Sequence, residues 1–116
     1  MQAEESISPA VAEILRVYDA APEFGRLRTE VLMGDVWEQK ELSQRDRSMI
    51  TCALLAAQGR KDELASHVQK AIANGITPDE FRGMAVHLAF YAGWPSGLAL
   101  GRAALDYLEA DLKSQS

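Results

Sequence analysis

The chain has 116 residues, 47% hydrophobic and 25% charged, the composition of one globular domain with a core of its own. Twelve basic residues against 17 acidic ones leave a formal charge of −5, which excludes a general nucleic-acid binder relying on a basic surface. The opening MQAEESISPAV lacks the charged-then-apolar order of a signal peptide, no apolar run reaches bilayer length, and one cysteine, Cys52, allows no intrachain disulfide. A cytoplasmic setting is the expectation.

Residues 1–8 are polar and are expected to form a flexible tail. Ser8-Pro9 then opens a helix to about Asp19, with Val11, Ile14, Leu15 and Val17 or Tyr18 on its apolar side. Ala21-Pro22 interrupts it, because the residue before proline is pushed out of helical geometry. A second helix is expected from about Glu23 to Met33, turning Phe24, Leu27, Val31 and Leu32 inward. Gly34-Asp35 and Val36-Trp37-Glu38 lead to a short polar connection ending near Leu42.

Ser43 is an N-cap, with Asp46 in the first turn, for a helix from Gln44 to about Gln58. That helix is apolar nearly all round, and a small domain rarely wraps one completely. A subunit interface is the expected extra cover. Gly59 ends it, and Arg60 or Lys61 begins the next, whose stripe is Leu64, Val68, Ala71 and Ile72. Asn74-Gly75 stops that helix, and Thr77-Pro78-Asp79-Glu80 starts another through a capping box. It runs to Tyr91, with Met84, Ala85, Leu88 and Ala89 packing inward. Gly93-Trp94-Pro95 breaks the chain before a last helix, Ser96 to about Leu112. Nothing alternates as a strand would. The sequence therefore predicts an all-α domain of five or six helices over 9–112, followed by a tail over 113–116.

Chemistry-bearing side chains concentrate in 60–95. Glu63 and His67 stand four apart on one helix face. They read either as an acid–base unit, with the carboxylate orienting the imidazole, or as an exposed ion pair of a common kind. His87, among Val86, Leu88, Ala89 and Phe90, is either a buried histidine satisfied by a neighbour or a catalyst. Tyr91 and Trp94 can floor a pocket or simply pack in the core. Arg47 opens the apolar helix, where it can grip a carboxylate with both arms or form an interface ion pair. Cys52 reads as a small apolar core residue. The histidines and acids do not have the spacing of a metal site.

From about Phe24 to Leu105 the chain resembles the carboxymuconolactone decarboxylases and their alkylhydroperoxidase D-like relatives. The resemblance rests on Gly34-Asp35-Val36-Trp37, Leu42-Ser43-x-Arg45-Asp46-Arg47 and Glu63-Leu64-x-x-His67. It continues in Asn74-Gly75-Ile76-Thr77-Pro78-x-Glu80 and in His87-Leu88-Ala89-Phe90-Tyr91-Ala92-Gly93-Trp94-Pro95. It implies a helical subunit in a ring-like homo-oligomer, commonly a hexamer or trimer, with active sites near subunit contacts. The family's redox branch carries C-x-x-C-x-x-x-H and an upstream glutamate. Aligned on His67, this chain has Arg60 and Glu63 at the cysteine positions and Ser48 at the glutamate. A dithiol cycle needs two thiols, so a thiol peroxidase is disfavoured.

The resemblance then implies the cofactor-free branch, which decarboxylates 4-carboxymuconolactone in aromatic-acid breakdown, or a related small carboxylated lactone or keto acid. On that reading His67, Glu63 and Arg47 are the catalytic candidates, and His87, Tyr91 and Trp94 the substrate-binding ones. No metal, nucleic acid or membrane enters. A non-catalytic, oligomeric small-molecule binder is the alternative.

Overall fold

The computed structural model describes residues 9–115, all of its regular structure being helical. The expected tail over 1–8 lies outside the described residues. Among those described, seven α-helices form, with one π-helical stretch and one 3-10 turn, in two compact units divided after Leu42. No helix among them is long and apolar enough to cross a membrane.

The N-terminal unit holds α1 (Pro9–Ala20), α2 (Pro22–Arg26), the π-helical Leu27–Met33 and the 3-10 turn Val36–Glu38. Ala21, held extended ahead of Pro22, separates α1 from α2 as the sequence predicts. The rings of Tyr18 and Phe24 then meet at 5.2 Å across the bend, and Arg28 lies over Tyr18. Arg26 grips Glu23 with two nitrogens, at 2.8 and 2.7 Å, and Glu30 with a third bond. That grip holds the Glu23 carboxyl below its ordinary value. The single helix expected over 23–33 is thus α-helical only to Arg26. Its apolar residues do not turn inward either, since Phe24, Leu27, Val31 and Leu32 are all exposed. Among the described residues of this unit, Trp37 is buried.

The C-terminal unit holds α3 (Gln44–Ala57), α4 (Lys61–Ala73), α5 (Pro78–Tyr91), α6 (Trp94–Ala103) and α7 (Leu105–Ser114). The caps form as predicted. Asp46 N–H donates to Ser43 Oγ at 3.0 Å, and Thr77 and Glu80 complete a reciprocal capping box at 3.1 and 2.9 Å. Gly75 takes φ 102°, so the chain reverses after α4 where a side chain would be strained. The core gathers Cys52 and Ala56 of α3, Leu64, Val68 and Ala71 of α4, Ile76 of the turn, Phe81 of α5, and Leu100 and Ala104.

Where one last helix is expected, the structure has two. The break is at Ala104 (φ −100°, ψ 8°), a single residue off helical geometry between Leu100 and Leu108, with which it still bonds. Beyond it, Tyr107 reaches back to donate to the Ile76 carbonyl at 3.0 Å and to meet Phe81 edge-on. Arg82 of α5 pairs with Asp111 and donates to the Leu108 carbonyl, fixing α7 on α5.

Helices α5 and α6 approach most closely at Gly97. A Cβ there would stand 2.6 Å from the Ala85 carbonyl oxygen and 3.0 Å from Ala89 Cβ, whereas one at Gly101 meets nothing within 4 Å. Gly97→Ala is therefore expected to cost about 1–3 kcal/mol through overpacking. Gly101→Ala is expected to gain up to about 1 kcal/mol of helix propensity. Urea denaturation midpoints should move in opposite directions. Shifts of the same sign would contradict this account of the contact.

Candidate active site

Glu63 and His67 lie one turn apart on α4, and Arg47 lies in the first turn of α3. Glu63 is exposed, and His67 and Arg47 are half-buried. Where α4 meets α3 follows from a residue further along the helix. Asn74 follows His67 by seven positions, two turns, and so continues the same stripe. Its side chain donates to the Ser48 hydroxyl at 2.9 Å, and Ser48 is fully buried on α3. The end of the stripe that carries Asn74 therefore meets α3 at Ser48.

The helix pair folds back at Gly59, with Arg47 in the first turn of α3 and His67 in the middle of α4. Arg47 Nε and His67 Nδ1 are both buried atoms. Helices α3 and α4 thus carry a planar cation and an imidazole, each with a buried nitrogen, and Glu63 is exposed one turn before the imidazole.

The other three candidates lie elsewhere in the unit. His87 is exposed and stacks on Tyr91, ring centroids 4.5 Å apart and planes 22° from parallel. It opens on a hollow of about 370 Å³ between α3 and α5, walled by Met49, Ala53, Met84 and Leu88. Glu80 stands on that wall, paired with Arg45 of α3. Trp94 meets Phe90 edge-on and lines a separate apolar groove between α5, α6 and α7. Within one chain, then, Arg47 and His67 stand on the packed helices α3 and α4, His87 and Tyr91 share a second place, and Trp94 belongs to a third.

Sequence reasoning missed the bond from Asn74 to Ser48. Asn74 was legible as a helix cap, and a buried serine on an apolar helix was a further signal, since such a hydroxyl needs a partner. The pairing of Arg45 with Glu80 was hidden because Glu80 was already accounted for by the capping box.

The sequence profile of the Carboxymuconolactone decarboxylase family matches residues 22–106. The chain belongs to this family. It is 36% identical over 81 residues to a 4-carboxymuconolactone decarboxylase of Acinetobacter baylyi, covering 70% of this chain and 60% of that protein. It is 40% identical over 70 residues to a nitrosuccinic acid decarboxylase of Metarhizium robertsii, covering 60% of this chain and 49% of that protein. The chain thus spans between about half and three fifths of the length of these curated relatives.

Among the chemistries associated with this fold, thiol chemistry finds no support in Cys52. Its side chain is fully buried in the core, and burial pushes the thiol from an ordinary 9.0 up to about 11. A raised thiol value means that the folded state holds the proton more tightly than the unfolded one. This stability is fully present below pH 9 and is lost as pH rises towards 11. Two outcomes are expected. A thiol reagent at pH 8 should react slowly with the native protein and rapidly in denaturant, and Cys52→Ala should flatten the decline in stability between pH 9 and 11.

Proposed function

We propose that this protein is a cofactor-free carboxy-lyase acting on a small polycarboxylic acid, with the α3–α4 seam as its catalytic centre. The reading is supported by membership of the carboxymuconolactone decarboxylase family and by the buried ring nitrogen of His67 on α4 and buried Nε of Arg47 on the neighbouring α3. The names of the two relatives narrow the substrate class. Both describe acids in which a carboxyl group lies close to a group able to accept electrons, a lactone carbonyl in one and a nitro group in the other.

Loss of carbon dioxide breaks a carbon–carbon bond and leaves its electron pair on the substrate. The acceptor group takes up that pair, and a proton must then be delivered to carbon. In the proposed mechanism Arg47 holds a carboxylate or the developing oxyanion, an interaction that strengthens as charge collects there. His67 supplies the proton to carbon as general acid. Glu63, exposed one turn before it, is assigned to orient the imidazole. The products are carbon dioxide and the protonated acid, and no electrons leave the substrate. His87 and Tyr91 are proposed as a secondary wall for substrate, and 4-carboxymuconolactone is the first candidate to test.

The test is ultraviolet monitoring of 4-carboxymuconolactone and nitrosuccinate turnover. His67→Ala should lower kcat by about 10²–10⁴-fold, the range for loss of a general acid. Arg47→Gln should act mainly through KM. Full turnover in His67→Ala would remove the central assignment, and inactivity of the parent protein on the whole panel would favour a binding role.

We further propose a homo-oligomer built on α3, as the apolar pattern of that helix leads one to expect. Ile50 and Leu54 remain 47% and 55% exposed, on the face next to Arg47. The single chain has a mass of 12.7 kDa. Light scattering at micromolar concentration should give a multiple of this, a hexamer or trimer being expected, and Leu54→Lys should reduce it towards one chain. An unchanged mass in that variant would exclude this face as the contact.

A further inference from the structure

The groove containing Trp94 takes no part in this proposed chemistry. It holds about 420 Å³ and is walled by Val86 and Phe90 of α5, Trp94 and Leu98 of α6, and Leu105 and Leu108. Phe90 is 78% exposed and Trp94 65%, although they are among the largest apolar side chains in the unit. Helix α6 offers glycine to the groove. Gly101 lies on its lining, and a side chain built there would enter open space. A volume of this size, apolar and concave, is that of a small-molecule site.

One end of the groove is charged. Arg102 lines it and also lines a smaller hollow of about 230 Å³ on the other side of α6, together with Lys61 of α4. Leu64, Ala65, Ala99 and Ala103 complete that hollow, so no acidic side chain lines either space. Among the described residues neither Arg102 nor Lys61 pairs with a carboxylate. In a chain with a net charge of −5, these two cations, both exposed beside apolar walls, form a local field that favours an anion.

We propose that this groove is a second ligand site, taking a small amphipathic monocarboxylate. The alkyl or aryl body lies in the trough against Phe90 and Trp94. The carboxylate is held by the Arg102 guanidinium, with Lys61 adding charge from beyond it. Burial of an apolar body supplies most of the affinity and the charged end supplies selectivity. The charged end is also what distinguishes this occupant from a second copy of the chain, because an apolar partner face would cover Arg102 without neutralising it.

The experiment titrates the full chain with octanoate and with 1-octanol, its neutral counterpart, by calorimetry and tryptophan fluorescence. Octanoate should bind saturably and at least tenfold more tightly than 1-octanol, with a fluorescence change that Trp94→Phe removes. Arg102→Gln should weaken octanoate tenfold or more and bring it level with 1-octanol, and Lys61→Gln should weaken it severalfold. Gly101→Leu, which fills open space and leaves the helix contact at Gly97 untouched, should abolish binding. His67→Ala should bind as the parent does, so failure of the decarboxylase reading and failure of this one are separable. Equal binding of acid and alcohol, or an Arg102→Gln variant with undiminished affinity, would overturn the proposal. So would absence of saturable binding combined with a lower mass for Phe90→Glu by light scattering, which would make the groove a contact between copies.

Discussion

The C-terminal unit depends on the short connection between α4 and α5, because nearly every neighbouring helix is tied to it. Asn74 at its start bonds to buried Ser48 of α3, and the carbonyl of Ile76 accepts from Tyr107 of α7. Ile76 itself is fully buried, while Thr77 and Glu80 close the N-terminus of α5. Glu80 then pairs with Arg45 at the start of α3. The turn thus satisfies the orphan donors and acceptors of helix ends and, with the same residues, fixes the register of α3 against α4. The proposed chemistry on α3 and α4 therefore depends on this turn.

Capping was the legible part of this fold because its signals are local. Ser43, the Asn74-Gly75 stop and the Thr77-Pro78-Asp79-Glu80 start each act within four residues, and the structure forms every one of them. What lay beyond the sequence depended on distant partners. The break at Ala104 has no glycine or proline to announce it, and it coincides with Tyr107 finding the Ile76 carbonyl 31 residues away. The π-helical stretch over Leu27–Met33 is of the same kind. Its composition is that of an ordinary helix, and only the widened hydrogen bonding distinguishes it.

Apolar periodicity marked faces without saying what covers them. On α4 the predicted stripe is the core, since Leu64, Val68 and Ala71 are buried. On α3 the pattern ran all round, and the structure divides it. Cys52 and Ala56 are buried inside the unit, Met49 and Ala53 line the hollow of His87, and Ile50 and Leu54 face outward. On α5 the division is sharper still, with Phe81 inside and Val86 and Phe90 outside. A helix packed on two sides by its own chain retains a third face, and 3.6-residue periodicity cannot assign that face to a ligand or to another subunit.

The candidate residues were chosen for their chemistry, and the fold sorts them by position. The redox branch of the family implied by the sequence needs a thiolate ahead of the histidine, where this chain carries Arg60 and Glu63. Its single thiol is instead placed on α3 at the centre of the core, where the surroundings favour the protonated form. On the proposed reading, an imidazole, a carboxylate in place of a thiol and a guanidinium on α3 carry protons and charge where the redox branch carries electrons. Decarboxylation requires no more of a protein than this. The electron pair released with carbon dioxide stays on the substrate, so the site has only to hold an anion and return a proton. Under the same proposal Ser48 is a neutral hydroxyl already engaged by Asn74, where a carboxylate beside Arg47 would compete with substrate for the guanidinium.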